Sequence, residues 1–434
     1  MKTSVDAVII GAGIIGCSIA LALSKRGMKT LNVDRLPAAG YGSTSYSSAM
    51  IRTHYSSLES TALAYESFFH WNQWTEFLGV NDERGTAVFN QVGCLVLKPS
   101  EDQTIAKMLE YSDALGIPYQ RLSANEIRGR WPFLDLTGYY PPKLPSHEEF
   151  GMPTGGELDG GVFFTSAGYI NDPQLATHNF QIAAEAHGAE FCFNAGIIDI
   201  RKINGKVSGV TLADGREIDA DVVINAAGPH SSKINQLAGV AEEMNLSTRA
   251  QRQEVAHLPS LPGLNIETEG TAIADEDTGA YLRPEIGNQM VIGGINPECD
   301  PDDWVDPDDF YESLTDQAVN QVMRLAQRVP EMGIPSNLSG VVACYDVADD
   351  WIPIYDRSNL NGFYMAVGTS GNQFKNAPLV GEMMADLIFA CEKGQDHDEN
   401  PVVFHLQRLD MPLNLGFFSR NRNINQDSSF SVLG

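Results

Sequence analysis

Residues 5–35, VDAVIIGAGIIGCSIALALSKRGMKTLNVDR, carry the first chemistry that can be read from the chain. Gly11, Gly13 and Gly16 stand in the spacing G-x-G-x-x-G, and Asp34 follows 18 residues after Gly16. Glycine at the first position allows a tight turn. At the second it lets a pyrophosphate approach the backbone, and at the third it lets helix and strand pack closely. The N–H groups and positive dipole end of the following helix favour phosphate. A carboxylate at the end of the next strand can accept hydrogen bonds from a ribose. The chemistry is dinucleotide binding; a glycine-rich turn in an unrelated parallel sheet is the competing reading.

The positioning elements can be read around it. Residues 5–10 form a short apolar run, the pattern of a strand buried on both faces. Residues 17–24 read as a helix, with Lys25 and Arg26 near its end and Gly27 as the stop. Residues 30–33 read as the second strand. Loop 35–48 is dense in Gly and Ser and leads to Ala49-Met-Ile-Arg52. A strand over 220–225 runs into Ala226-Ala227-Gly228-Pro229-His230, and one over 363–367 into a second glycine-rich turn, 368–375, with a helix over 377–391. Such small-residue loops let a bound molecule lie close to the backbone. Further helices are expected over 58–80, 104–115, 122–130, 174–188 and 308–329, strands over 89–98 and 341–345, and a hairpin turning at Asn204-Gly205. Residues 245–296 read as antiparallel strands, and 138–161 has no period and reads as an insertion near the site or at an edge.

The expected fold class is therefore α/β (α+β): a Rossmann-like domain interrupted by a mainly antiparallel β-sheet substrate domain. The division places 1–90, 155–240 and 340–395 in the first, 91–154 and 241–339 in the second, and 396–434 in a C-terminal tail.

Composition narrows the partners. The 434 residues are 43% hydrophobic, and the net charge of −27 argues against nucleic acid. No apolar run is long enough to span a bilayer, and a strand beginning at residue 5 leaves no room for a signal peptide; the expectation is a cytoplasmic protein with no membrane partner. Six scattered cysteines include no CxxC or Cys/His cluster, so no metal is expected. His54 and His230 are candidate bases, with a structural role the favoured reading for both.

The motifs together resemble the D-amino-acid oxidase superfamily of FAD-dependent oxidoreductases, in particular its sarcosine oxidase and dimethylglycine dehydrogenase branch. The resemblance is carried by GAGIIG, STSYSSAMIR, GYINDPQL, ADVVINAAGP, YLRPE, ACYDVADDWIPIYD and GTSGNQFKNAPLVGE, in order over residues 5 to about 390. It implies FAD. The AMP half would lie on Gly11, Gly13, Ile14, Ile15 and Gly16 with Asp34 and Arg35. Ser43, Thr44, Ser48 and Ala49 would line the flavin, with Ala227 and Gly228 nearby. Gly368, Gly371, Asn372, Phe374 and Lys375 would run past the ring. It also implies that Arg52 and Lys375 bind a substrate carboxylate and that Tyr281 stands on the sheet above the flavin. A guanidinium and an ammonium can pin a carboxylate in a dry pocket and so fix the α-carbon for hydride transfer.

The implied reaction is oxidation of a secondary or primary amine of an amino acid, sarcosine-like or D-amino-acid-like, by hydride transfer to flavin N5, with hydrolysis of the imine. The electron acceptor is O2 or another carrier. Val291 and Ile295 stand where sarcosine oxidases carry a lysine and a histidine, and Ala49 where they carry a second arginine, which tilts the reading toward a dehydrogenase. Cys344 falls one residue from the cysteine that holds flavin covalently in that branch, so noncovalent FAD is favoured. His54 is the other attachment candidate. A hydroxy acid or a carboxylate-free amine as substrate, and a flavoprotein subunit of a larger electron-transfer assembly, remain the alternatives. The oligomeric state is open.

Overall fold

The computed structural model describes residues 3–97 and 103–433. Two large sheets organise it. The first runs Glu190–Cys192, Thr30–Val33, Ala7–Ile10, Val222–Asn225, Phe363–Val367, Ile354–Arg357, all parallel except the last. Alternation splits its residues between two layers. Ala7 and Ile9 face helices Ile14–Lys25, Pro173–Ala186 and Ala377–Glu392. Val8, Ile10, Leu31 and Val33 face a four-stranded sheet containing Ile197–Ile203 and Lys206–Leu212. Asn204 and Gly205 turn that hairpin with φ of 52° and 77°, as a two-residue primed turn requires.

The second sheet has eight strands, in the order Ser339–Ala348, Thr248–Pro259, Gln289–Gly294, Ala280–Glu285, Ala272–Asp275, Cys94–Leu97, Gly160–Phe164, Tyr119–Ser123. Every neighbouring pair is antiparallel except Ala272–Asp275 with Cys94–Leu97. One face carries Leu95, Ile273, Leu282 and Ile292 against helix Asp316–Arg328. Tyr281 lies one residue out of that register and points to the opposite face.

The structure redraws several boundaries. Gly160–Phe164 and Ser339–Ala348 pair into the eight-stranded sheet, so the divisions placed at 155 and 340 fall too early in the chain. The helix read over 122–130 begins at Ala124, because Ser123 and Glu126 form a capping box and Leu122 belongs to an edge strand. The helix read over 308–329 begins at Asp316, where Thr315 caps Gln317 and the Glu254 carboxylate accepts from the Thr315 and Ala318 amides. Residues 58–80 break at Gln73 into two helices. The strand read over 89–98 breaks at Gly93, where φ is 75° and a Cβ would come within 2.2 Å of the Phe163 ring; Lys98 lies outside the described residues. The aperiodic stretch 138–161 is sewn to the second sheet, the Tyr139 and Tyr140 amides donating to Asp277 at 2.8 and 3.0 Å. The C-terminal stretch is equally integrated, with fully buried Arg420 bridging Asp356 and Asp398.

Candidate active site

The first glycine turn is built around close approach. Gly11 has φ of 111°, and a Cβ there would lie 2.3 Å from the Ala226 carbonyl oxygen. A Cβ on Gly16 would lie 2.2 Å from the Gly11 oxygen, so helix and turn touch through bare backbone. At Gly13 the nearest atom is the Thr44 hydroxyl at 3.2 Å, which leaves that side open. Helix Ile14–Lys25 starts there with no side-chain cap and no acid in its first turn, so its N–H groups remain a site for anions. The Ile14 amide reaches Thr44 Oγ1 at 3.3 Å, while Ile15 packs into the core. Asp34 accepts from the Ala12 and Leu36 amides at 2.7 and 2.8 Å, and burial pushes its pKa up. Asn32 donates to the Gly11 and Gly16 carbonyls at 3.2 and 3.1 Å and locks the turn; its spacing carries no signal that would mark it in the sequence.

The second glycine turn meets the open face of the eight-stranded sheet. Gly371 has φ of 65°, and a Cβ there would lie 2.4 Å from the Tyr345 ring. Gly368 also has positive φ, and its amide donates to buried Asp346 at 2.7 Å. Burial raises the Asp346 carboxyl pKa to about 7. Lys375 is buried: its Nζ donates to Tyr55 Oη and to the Asn372 carbonyl, both at 2.7 Å. Phe374 stacks on Trp71 with ring centroids 5.5 Å apart, and Trp71 Nε1 donates to the Lys375 carbonyl at 2.7 Å.

Arg52 completes this cluster. Its guanidinium lies 5.0 Å from the Tyr55 ring centroid, and the Lys375 ammonium lies 5.3 Å from the same ring. Burial, with the Arg52 charge added to it, holds Lys375 well below the ordinary lysine pKa. The same charge acts on Tyr281 and Tyr345, though burial is the larger influence and raises both hydroxyl pKa values. Ser48 lies beside Tyr281 and lowers its pKa against the larger effect of burial. Arg52, Lys375 and Tyr281, far apart in sequence, thus share one neighbourhood. Tyr55, Tyr345 and Trp71 belong to it as well, and only their long-range contacts identify them.

The other expected residues fall around these two turns. Ser43 opens the short turn Ser43–Tyr46 and donates to the Cys344 carbonyl at 2.7 Å. Ala49 is buried with φ of 47°. Ala227 is held by the Asn225 side chain, and Gly228 begins the next turn with φ of 56°. Arg35 pairs with Asp308, which His230 and Lys233 also contact at 3.0 and 2.6 Å. His54 is buried and stacks on Phe164 at 4.1 Å. Cys344 is buried one residue before Tyr345, its pKa pushed up to about 11 by burial.

The family profile described as FAD dependent oxidoreductase (DAO) matches residues 6–387, which contain both turns and the sheet above them. The chain belongs to this family. FAD is the family's cofactor, and the reaction class is oxidoreduction. Among curated relatives, FAD-dependent oxidoreductase domain-containing protein 1 of Xenopus laevis is 26% identical over 418 residues, 88% of this chain and 79% of that protein. N-methyl-L-tryptophan oxidase of Salmonella arizonae is 24% identical, covering 93% of this chain and 99% of the relative. Among solved structures, L-proline dehydrogenase from P. horikoshii superposes with a TM-score of 0.75 at 21% identity, covering 97% and 98% of the two chains. Glycine oxidase from Geobacillus kaustophilus superposes with a TM-score of 0.72 at 20% identity, covering 98% and 100%. These two structures share the fold.

The residues of the first turn fit FAD. The Gly13 side of the turn is open, the helix N-terminus has uncapped donors, and Asp34 stands beside the turn. Among the described residues, no helix is long and apolar enough to cross a membrane, and no group of three His, Cys, Asp or Glu could hold a metal ion.

Proposed function

We propose that this FAD-dependent oxidoreductase oxidises the C–N bond of an amino acid bearing a primary or secondary amine, and that Arg52 reads the substrate's carboxylate. The observation that carries the reading is the convergence of Arg52, Lys375, Tyr55 and Tyr281 where the second glycine turn meets the sheet. Relatives named N-methyl-L-tryptophan oxidase, and neighbours named glycine oxidase and L-proline dehydrogenase, support an amino-acid amine as the substrate class.

FAD, when bound, would supply the two-electron acceptor for oxidation at the carbon next to nitrogen. The residues of the chain do the rest. Arg52 offers a planar fork to a carboxylate in a partly dry site, where a charge-assisted pair is strong. Lys375 spends two bonds on Tyr55 and Asn372. Burial and the Arg52 charge hold its pKa down, and a carboxylate beside it would act in the opposite direction, favouring Lys375 as a second cation at the carboxylate site. Tyr281, with Ser48 beside it, borders the substrate from the sheet. Orientation is the main contribution to rate, and the Trp71–Phe374 stack beside the Lys375 backbone keeps the turn rigid.

Two finer points belong to the same proposal. Consecutive strand residues face opposite ways, and Tyr345 faces Gly371, so Cys344 faces away from the turn. That supports noncovalent FAD. Buried, apolar Val291 on the sheet supports a dehydrogenase that hands electrons to a carrier other than O2.

The test is Arg52→Ala. Loss of one charge-assisted anchor is worth about 3 kcal/mol, so kcat/KM for a carboxylate-bearing amine should fall roughly a hundredfold. The flavin spectrum should be retained. An unchanged kcat/KM would remove Arg52 from the site.

A further inference from the structure

The residues before the C-terminus lie across the group assigned to the substrate. Arg52 Nη2 donates to the Val432 carbonyl. The Ser56 amide donates to the Leu433 carbonyl at 3.1 Å, and Leu433 is buried. Residues 432–433 therefore cover the short segment that also carries Tyr55. Upstream, the same stretch is tied down on Asp350. Arg422 Nη2 meets its carboxylate at 2.7 Å, and Ser428 Oγ donates to its carbonyl at 2.6 Å.

The two ends of this stretch differ. Residues 422–428 are held by a buried carboxylate. Among the described residues, the charged side chain that meets residues 429–433 is Arg52. Phe430, the second residue of the latter segment, has φ of 49°, a conformation that bulky residues avoid. Its side chain is 42% exposed, and with Trp351, Trp304 and Arg249 it walls a cavity of about 410 Å³. A hinge, one exchangeable contact and room to move are thus adjacent.

We propose that residues 429–433 are a strap that competes with the substrate. The Val432 carbonyl occupies the Arg52 guanidinium until a carboxylate displaces it, and Phe430 then swings into the cavity beside Trp351. The proposal rests on the reading of Arg52 as the carboxylate anchor. It makes the strap a determinant of apparent affinity: a carboxylate can replace a peptide carbonyl on a guanidinium, whereas a neutral amine cannot.

The test uses the FAD-loaded protein and benzoate as an unreactive carboxylate probe. Hydrogen exchange at the Ser56 amide reads the strap directly and needs no variant. Protection is expected without ligand and is lost when benzoate saturates the site. Protection unchanged at saturating benzoate overturns the proposal. Removal of residues 429–434 should lower KM for a carboxylate-bearing amine by about tenfold, the effect of one hydrogen bond to a charged group. A KM that stays the same or rises also overturns it. The two readings fail separately. If Arg52→Ala keeps its full kcat/KM, the anchor reading fails. If Arg52→Ala loses activity but benzoate leaves Ser56 protected, the strap alone fails.

Discussion

Gly16→Ala and Gly13→Ala separate what the first turn does for packing from what it does for FAD. At Gly16 the added Cβ would lie 2.2 Å from the Gly11 oxygen and 3.0 Å from its carbon. Both are backbone atoms, and Asn32 holds them by hydrogen bonds to the Gly11 and Gly16 carbonyls. The helix must therefore back away from the strand by about 1 Å. It is packed on two further helices, and a Cβ on Gly381 of one of them would already meet Ser18 at 2.4 Å. Overpacking of this kind costs about 1–3 kcal/mol, offset by about 0.5–1 kcal/mol from the better helix propensity of alanine. The net is about 0–2.5 kcal/mol of lost stability, a fall of up to about 3 °C in melting temperature for a chain of this length. At Gly13 the Cβ meets only a threonine hydroxyl at 3.2 Å. The backbone there has φ of −72°, which alanine adopts freely. Gly13→Ala should melt within about a degree of the parent without cofactor and yet bind FAD at least tenfold more weakly, about 1.4 kcal/mol. The assay is thermal melting with and without FAD, combined with flavin fluorescence titration. A Gly13→Ala protein that binds FAD like the parent would refute the assignment of the turn as the pyrophosphate cradle.

Three further outcomes follow from buried groups. Arg328, fully buried between Asp275 and Asp277 at 2.8 and 2.9 Å, holds the helix Asp316–Arg328 to the second sheet; Arg328→Ala should cost about 3–5 kcal/mol by leaving two carboxylates unpaired, seen as a large fall in melting temperature. Asp346 has a raised pKa of about 7 against an ordinary 3.8, so between those values the unfolded chain is ionised and the folded one is not. Stability should then fall as pH rises through that window and level off above it, and Asp346→Asn should flatten the profile in melting curves from pH 4 to 8. Lys375→Met should keep the flavin spectrum but lower kcat/KM for an amino acid by roughly 10–100-fold, in steady-state assays with an artificial acceptor.

The parts of the chain legible in sequence were those fixed by local rules. Gly11, Gly13 and Gly16 mark a turn because only glycine tolerates its approaches, and Asn204-Gly205 marks a hairpin for a similar reason. Residues 17–24 and 377–391 read as helices from composition and their flanking turns. Boundaries failed where a tertiary contact decides them. Glu254, more than 60 residues upstream, fixes the start of the helix at Asp316. Gly160–Phe164 reads like any short apolar run, and only its two antiparallel partners place it in the second sheet. The site shows the same division. Arg52, Lys375 and Tyr281 are carried by motifs that resemble a family. Tyr55, Asn32 and Asp346 act through partners 320, 16–21 and 22 residues away, at spacings with no signature. The strap over Arg52 links positions 380 residues apart, and nothing in its SFSVL sequence announces that contact.

The most direct test of the account is anaerobic titration of the FAD-loaded protein with pairs of amines that differ only in the carboxylate. Sarcosine, proline and N-methyl-tryptophan would be compared with their methyl esters while flavin absorbance near 450 nm is followed. At least one amino acid should bleach the flavin and its ester should do so far less efficiently, with Arg52→Ala erasing the difference. Equal bleaching by acid and ester, or reduction only by amines without a carboxylate, would contradict the claim that Arg52 reads the substrate.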